Sequence, residues 1–292
     1  MARPARERIP RTLLRPFRRD KTVGLALGAG GARGLAHIAV IEALDEMEVR
    51  PAAIAGSSIG AAIGAAYAAG MSGKAMRRHA IHVAHRRTET LAKLLAARAG
   101  SFAKMFSADF GNPWVMDAEK LVAAFLPPEV PSDFAALQIP MTVIASDLYG
   151  RQPVALTSGP LKQAIAASMA VPGLIRPVAI DGRVLVDGGA VDPLPFEHLR
   201  KRADVIVAVD VGGGPRGRDG EIPDPWECLF ATLSVMGQAI VAEKLRHGTP
   251  DLLITPKVGI FRMLDFLQAT AILRASDPIK AEVKERLAAL RA

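Results

Sequence analysis

The sequence has very few of the residues that build disulfides, glycosylation sites and aromatic clusters. Among 292 residues there are one cysteine, Cys228, and one asparagine, and aromatic residues make up 5%. A single cysteine excludes an intramolecular disulfide and a multi-cysteine metal site, and it fits a reducing compartment. The asparagine precedes a proline, so the sequence holds no N-glycosylation acceptor. Half of the residues are apolar and 23% are charged, which excludes a fully disordered chain.

The net positive charge outside the N-terminus is small, although the net charge of the whole chain is +8. Residues 1–21 hold eight Lys or Arg and two acidic residues, so this arm carries +6 and the other 271 residues carry +2. The body has no aromatic-interleaved basic patch, so we expect no nucleic-acid partner. The arm has three prolines and no apolar signal core. We expect a cytoplasmic protein whose arm is either a disordered leader or a peripheral contact with anionic lipid at the inner face of the membrane.

Residues 51–72 carry no charge at all, and they place glycine at positions 56, 60 and 64. A membrane helix with a small-residue packing face is one interpretation of this spacing. However, the segment consists mostly of Ala, Gly and Ser, with few of the Leu, Ile, Val and Phe residues that drive membrane insertion. We therefore predict a helix that packs closely against a strand within a soluble fold.

Short apolar strands alternate with helical patterns along the rest of the chain. This alternation predicts an α/β fold with a central, largely parallel sheet, in a single domain over residues 22–292. Residues 98–116 interrupt the pattern and suggest a loop or lid, and residues 212–225 suggest an exposed loop. The predicted strands are 23–27, 52–55, 141–145, 154–157, 184–186, 205–209 and 252–254, and the predicted helices include 73–97, 117–126 and 160–170.

The turn after the second strand matches the pattern Gly-x-Ser-x-Gly, from Gly56 to Gly60. In a nucleophile elbow, glycines flank the serine because the backbone is strained and tightly packed. Such a turn would expose the Ser58 hydroxyl and direct the N–H of Ile59 to the site where an oxyanion forms. The alternative is a glycine-rich turn in which a serine only caps the following helix.

The turn after the first strand, Gly28–Gly34, has the composition of an anion-binding loop. A dinucleotide fingerprint would need glycine where Arg33 stands, and no Walker lysine follows, so we expect no nucleotide. We predict that Gly30 and Gly31 supply backbone N–H groups to an oxyanion, and that Arg33 orients the loop or a lipid phosphate. The alternative is a tight turn without a ligand.

A serine nucleophile needs a base, and the histidines of this sequence lie in unpromising places. His198 and His247 are in charged or exposed settings, so we expect surface histidines. His79, His82 and His85 have helical spacing but no nearby carboxylate, so we expect a polar helix face and no metal site.

Asp187 has a better setting for a base, at the end of a strand and before Gly188 and Gly189. The alternative is a hairpin turn built on Asp-Gly. A carboxylate that took the proton of Ser58 directly would make a two-residue catalytic unit. Free aspartate has a pKa near ~3.9 and is a poor base, so burial would have to raise that pKa.

These motifs, in this order, resemble those of the patatin-like phospholipase family, in its bacterial branch related to neuropathy target esterase. The resemblance covers about residues 23–210 and, more loosely, residues 253–256. The segments that carry it are Leu27–His37, Ile54–Ala61, Ala167–Gly173 and Asp187–Gly189.

The resemblance implies a three-layer fold and hydrolysis of lipid acyl esters by a Ser–Asp dyad, without a catalytic histidine and without a cofactor. Ser58 would be the nucleophile and Asp187 its base. Two departures stand out: Ala29 replaces a common glycine and Ser57 replaces a common threonine, both by small residues. The implied oxyanion groups are those of Gly30, Gly31 and Ile59, and the supporting residues are Gly28, Arg33, Gly34, Gly56, Gly60, Gly188 and Gly189.

We therefore predict a hydrolase of phospholipids or lysophospholipids that works through an acyl-enzyme. Two alternatives stay open, an esterase for soluble acyl esters and a regulatory or scaffold protein that keeps the fold with little turnover. A preference for short or long acyl chains would distinguish the esterase for soluble esters from the lipid hydrolase. Complete retention of the motifs argues against the regulatory or scaffold protein. The sequence does not fix an oligomeric state.

Overall fold

The structure is a computed structural model that describes residues 21–86, 117–213 and 222–291. The predicted arm, apart from Lys21, and the predicted lid at 98–116 lie outside the described residues. The strands are β1 (Val23–Leu27), β2 (Ala53–Ser57), β3 (Met141–Asp147), β4 (Gln152–Leu156), β5 (Val178–Ile180), β6 (Arg183–Asp187), β7 (Val205–Val209) and β8 (Leu252–Ile254). The α-helices are α1 (His37–Glu46), α2 (Ile59–Ala68), α3 (Gly73–Arg86), α4 (Ala118–Phe125), α5 (Leu161–Ser168), α6 (Pro225–His247), α7 (Ala269–Ser276) and α8 (Ile279–Arg291).

The eight strands form one mixed sheet, in the order β5-β6-β3-β2-β1-β7-β8, with β4 paired to β3. Strands β3, β2, β1, β7 and β8 are mutually parallel, whereas β4 and β6 run antiparallel to β3. Parallel neighbours need crossover connections, and α1 makes the crossover between β1 and β2. The predicted largely parallel sheet is confirmed.

Both faces of the sheet are covered, which gives the three layers. Successive residues of a strand point to opposite faces, and β1 shows this directly. Leu25 and Leu27 belong to the large core cluster that also contains residues of α1, α2, α7 and α8. Ala26 belongs to a smaller cluster on the other face, with Phe196 and Val241 of α6. The large residues of β1, Leu25 and Leu27, therefore face the larger core cluster, and the small residue Ala26 faces the smaller one.

The uncharged segment at 51–72 forms β2 and the ten-residue helix α2, as predicted from its composition. All residues of α2 except Ala62 are buried. The close approach depends on Gly60, where a Cβ atom would lie 2.2 Å from the carbonyl oxygen of Leu27 in β1. Any side chain at this position would push the start of α2 away from the sheet.

The last quarter of the chain contains helices that the sequence patterns did not indicate. In the described residues, one helix, α6, is long and apolar enough to cross a membrane. Only 11% of its apolar window is buried, so α6 is not a core helix, but a single helix that passes by length and composition is a weak indication. The C-terminal part of α6 packs on the sheet through Val241, and Lys244 of the same helix donates to a carboxylate oxygen of Asp192 over 2.5 Å.

Candidate active site

Strands β2 and β6 lie on either side of β3, run in opposite directions and end at the same level of the sheet. The last residue of β2, Ser57, lies opposite Ile144, and β2 is parallel to β3. The last residue of β6, Asp187, lies opposite Ala145, and β6 is antiparallel to β3. Because Ile144 and Ala145 are consecutive, the residue that follows β2 and the residue that ends β6 meet at one point of the sheet.

Ser58 occupies the sharp turn between β2 and α2. Its backbone has φ 55° and ψ −123°, which is strained for a residue with a side chain. The Ser58 hydroxyl is buried and donates a hydrogen bond to Oδ2 of Asp187 over 2.6 Å. The hydroxyl does not cap α2, so the interpretation of this serine as a simple helix cap is wrong. The backbone has the strained strand-to-helix geometry of a nucleophile elbow.

Asp187 is held by hydrogen bonds and is almost completely withdrawn from water. Its Oδ1 accepts the backbone N–H of Gly189 over 2.7 Å, and only 8% of the residue is exposed. Burial raises the pKa of Asp187 to about 6, although the hydrogen bonds from Ser58 and Gly189 act in the opposite direction. Residues Gly188–Ala190 form a 3₁₀ turn, so the hairpin alternative for this segment is wrong.

A second serine, Ser168 at the end of α5, fixes the backbone of the elbow. Its Oγ accepts the N–H of Ser58 over 2.8 Å and donates to the carbonyl oxygen of Ile144 over 2.5 Å. The segment Ala167–Gly173 carries part of the family resemblance, but sequence reasoning gave Ser168 no role. The available sequence signal is a single serine in an otherwise apolar helical run, and such a serine needs a hydrogen-bond partner when it is buried, as Ser168 is.

The glycine-rich loop is held by backbone hydrogen bonds that leave its central N–H groups available. Gly28 donates to Val209, Ala29 to Pro193 and Ala32 to Met263, over 2.7 to 3.0 Å. Across the described part of the chain, no tertiary hydrogen bond uses the N–H groups of the three predicted oxyanion residues. Those residues, Gly30, Gly31 and Ile59, all line the same cavity as Ser58 and Asp187.

Glycine is required at Gly31 for two reasons. Its φ is +59°, and a Cβ atom there would lie 2.2 Å from the carbonyl oxygen of Met263. Close packing also accounts for the other predicted glycines. A Cβ atom would come within 3.0 Å of a neighbouring atom at Gly28, Gly30, Gly34, Gly56, Gly60, Gly188 and Gly189.

Arg33 is buried beneath the loop, with 3% of its surface exposed. Its Nε donates to the carbonyl oxygen of Gly30 over 3.3 Å, and its Nη2 donates to Ser234 of α6 over 3.4 Å. Burial lowers the pKa of Arg33, and the carboxylates of Asp210 and Asp265 oppose that shift. The guanidinium thus ties the glycine loop to α6, which fits the predicted loop-orienting role.

His37 supports the loop from the other side and was not assigned a role from sequence. The ring is fully buried, and its Nε2 lies 2.9 Å from the carbonyl oxygen of Gly28. Burial lowers the pKa of His37 to about 4, so the ring is neutral at pH 7. A neutral ring that donates from Nε2 fixes the direction of the Gly28 carbonyl at the start of the loop.

The other histidines have partners away from Ser58. His198 is partly buried and bonds to Asp192 over 3.0 Å, so its predicted surface position is only half right. His247 is exposed and bonds to Glu243 within α6. His79 lines the cavity with its Nε2 2.9 Å from the carbonyl oxygen of Phe125, whereas His82 is exposed. His85 is exposed and bonds to a carbonyl of its own helix.

The Ser58–Asp187 pair opens into a cavity of about 340 Å³. Most of the residues that line it are apolar, and they come from α2, α3, α4, α6 and the loop before α7. A volume in this range suits a small organic ligand or one chain of a larger one. The arrangement brings together a hydroxyl, a buried base and free N–H groups, which are the parts needed for acyl transfer.

Comparison with known sequences places the chain in a family. A family model for patatin-like phospholipases matches residues 25–200. An NTE family protein of Mycobacterium tuberculosis is 40% identical over 202 residues, which are 68% of this chain and 52% of that protein. Lysophospholipase nte1 of Aspergillus fumigatus is 34% identical over 195 residues, which are 66% of this chain and 12% of that protein. The chain thus spans about half the length of the mycobacterial relative.

Two solved structures are similar to this chain at low sequence identity. VipD from Legionella pneumophila is 15% identical with a TM-score of 0.45, over 91% of this chain and 67% of VipD. Human GIVD cytosolic phospholipase A2 is 14% identical with a TM-score of 0.42, over 91% of this chain and 60% of that structure. The family model alone covers more than half of the sequence, and the relatives confirm the predicted NTE-related branch. The chain therefore belongs to the patatin-like phospholipase family.

Proposed function

We propose that this protein is a serine acyl hydrolase that cleaves carboxylic esters of phospholipids or lysophospholipids. One observation carries the proposal: the Ser58 hydroxyl donates over 2.6 Å to the buried carboxylate of Asp187 at the wall of an apolar cavity. Burial raises the pKa of Asp187 to about 6, close to the value that suits a general base near neutral pH. The fungal relatives are named lysophospholipases, which supports the same substrate class.

In the proposed reaction, Ser58 Oγ attacks the ester carbonyl carbon while Asp187 takes the hydroxyl proton. The carbonyl oxygen becomes an oxyanion that accepts the N–H groups of Gly30, Gly31 and Ile59. When this intermediate collapses, the alcohol leaves with the proton from Asp187 and an ester of Ser58 forms. Water then attacks that ester and gives a proton to Asp187, and the fatty acid leaves as Ser58 regains its proton.

The N-terminus of α2 would strengthen the oxyanion site. Ile59 is the first residue of this helix, so its N–H has no intrahelical partner and carries part of the positive end of the helix dipole. Ser168 holds the neighbouring N–H of Ser58 away from the oxyanion. We therefore assign Ile59, and not Ser58, as the donor from this helix.

We also propose that residues 22–292 act as one hydrolase domain, placed at the inner face of the cytoplasmic membrane by the basic arm. The arm carries +6, and each cation near an anionic surface contributes roughly 1 kcal/mol. Removal of residues 1–20 should reduce cosedimentation with anionic vesicles, while hydrolysis of a monomeric ester stays unchanged.

A fluorophosphonate probe tests the proposed function directly. We expect one covalent adduct per chain by intact mass, located at Ser58 in the peptide that contains residues 56–60, together with release of fatty acid from a lysophospholipid. A Ser58→Ala variant should form no adduct. A folded natural protein that forms no adduct and releases no fatty acid would overturn the proposal and favour a scaffold protein.

The pH dependence follows from the burial of Asp187. The carboxylate must be ionised to accept the serine proton, and its pKa is about 6. We therefore expect kcat/KM for an uncharged ester to fall tenfold for each pH unit below about 6. An acid limb near the ordinary aspartate pKa of ~3.9 would show that the base is not the buried carboxylate.

A further inference from the structure

One wall of the cavity follows α2 for two turns away from Ser58. Ala62 and Ala66 both line the cavity, and they lie four and eight residues after the serine. Residues at this spacing lie on the same face of a helix. With a rise of 1.5 Å per residue, Ala66 lies about 12 Å beyond Ser58 along the helix axis. The cavity therefore extends well past the reacting atoms in one direction.

Helices α3 and α4 form the rest of this part of the cavity wall, and each contributes residues from one of its faces. The lining residues of α3 recur every three or four positions, as do those of α4. All of them are apolar except His79, whose Nε2 is engaged with the carbonyl oxygen of Phe125. The residues are Met76, His79, Ala80, Val83 and Ala84 from α3, and Val122 and Phe125 from α4.

The charged and polar side chains of the cavity wall, apart from Ser58, Asp187 and His79, belong to the glycine loop, the residue after β7 and α6. They are Arg33, Asp210, Ser234 and Gln238, and apolar residues such as Leu233 and Met236 lie among them in the lining. Burial raises the pKa of Asp210, and the N–H of Gly212 and the Arg33 charge oppose that shift. The lining by the glycine loop and α6 is therefore more polar than the groove along α2, which gives the cavity a direction.

We propose that the groove between α2, α3 and α4 is a subsite for one unbranched acyl chain, and that Ala66 sets the longest chain it accepts. This inference rests on the proposed function, because it requires Ser58 to be acylated. An acyl chain in the groove places the carbonyl at Ser58 and the leaving alcohol toward Arg33 and Gln238. A cavity of about 340 Å³ is near the lower end of the usual range for ligand sites, which suits one chain and not two.

Small side chains on α2 are what keep the groove open. Ala66 is buried, with 3% of its surface exposed, and faces the cavity together with Met76 of α3, which is 4% exposed. A larger side chain at Ala66 would fill the distal end and leave the space next to Ser58 unchanged. The same change at Ala62, one turn nearer to the serine, would shorten the groove further.

The test is a chain-length series of monomeric p-nitrophenyl esters, from butyryl through octanoyl to palmitoyl, with kcat/KM measured for each. We expect Ala66→Leu to lower the long-chain to short-chain ratio of kcat/KM by about tenfold or more. Ala62→Leu should move the cutoff to still shorter chains. Met76→Ala should move it to longer ones.

Ala123→Leu is the matched control, because Ala123 is exposed on α4 and does not line the cavity. It should leave the chain-length profile unchanged. The subsite is refuted if folded Ala66→Leu or Ala62→Leu proteins keep the natural profile, or lose activity equally at every length. If Ala66→Leu does not fold, Met76→Ala and Ala62→Leu still decide the question. Failure of the natural protein to hydrolyse any ester or to bind the fluorophosphonate would instead refute the proposed function.

Discussion

Ser58→Ala should lower kcat/KM for an acyl ester by about 10⁴- to 10⁶-fold, because no other group can form the acyl-enzyme. The loss should appear in kcat and not in KM, since alanine leaves the cavity intact. The free energy of unfolding should fall by about 1–3 kcal/mol at neutral pH, because the buried carboxylate of Asp187 loses a hydrogen-bond donor. Ester hydrolysis by the purified, folded protein measures kcat and KM. Denaturation followed by circular dichroism measures the free energy of unfolding.

Ser57→Ala is the matched control for this substitution. Ser57 is the neighbouring serine, and its buried hydroxyl has no hydrogen-bond partner among the described residues. Alanine there removes an unsatisfied polar group, so the protein should keep its activity and its fluorophosphonate adduct. If instead Ser58→Ala retained activity and Ser57→Ala lost it, the nucleophile would be Ser57 and not Ser58.

Asp187→Asn should have two large effects of opposite kind. Activity should fall by about 10⁴-fold, because the amide cannot accept the serine proton. Stability should rise at neutral pH. The folded pKa of Asp187 is raised from 3.8 to about 6, so ionisation opposes folding as the pH rises through this interval. Asparagine mimics the protonated form, since it can accept from Gly189 and donate to Ser58.

The stability gain has a defined pH window. It should be absent near pH 4, grow through pH 5, and reach up to about 3 kcal/mol in the free energy of unfolding above pH 6. Urea denaturation of both proteins at several pH values measures it. A constant difference at every pH would mean that packing, and not the buried charge, separates the two proteins.

Asp192→Asn provides the contrast, because Asp192 is a buried carboxylate with the opposite shift. Burial raises its pKa, but the contacts with His198 and Lys244 outweigh burial and lower it overall. Its ionised form therefore stabilises the fold above the unfolded pKa, and asparagine should destabilise the protein at neutral pH. His247→Ala should change neither activity nor stability appreciably, because the ring is exposed and bonds to the exposed Glu243 within the same helix, α6.

Local features of the fold could be predicted from sequence. Strand β1 was predicted at its observed bounds because five apolar residues precede a glycine turn, and β7 and β8 were also found. The elbow followed from the position of Gly56–Gly60 after a strand. In these places a short window of sequence is sufficient to indicate the conformation, although contacts such as that of Ser168 with Ser58 also hold it in the folded chain.

Features that depend on distant contacts were missed. Strand β5 is three residues long and exists because it pairs with β6, which no local pattern indicates. Helix α6 begins at a proline and has apolar residues on all sides, so it lacks the one-sided period of a surface helix. Ser168 and His37 act through contacts with Ile144 and Gly28, and only the folded chain brings those groups together.

The meeting of β2 and β6 beside β3 has a consequence for the biosynthesis of the protein. The groups that meet there, on Ser58 and Asp187, are 129 residues apart in the chain. A growing chain that already includes the elbow therefore has Ser58 without its base, Asp187. The base is added only when β6, the last of the three strands in the chain, is synthesised. Contacts of such long range form late in folding. The proposed ester hydrolysis would thus begin only when β6 is in place, and shorter chains on the ribosome would hold the nucleophile without its base.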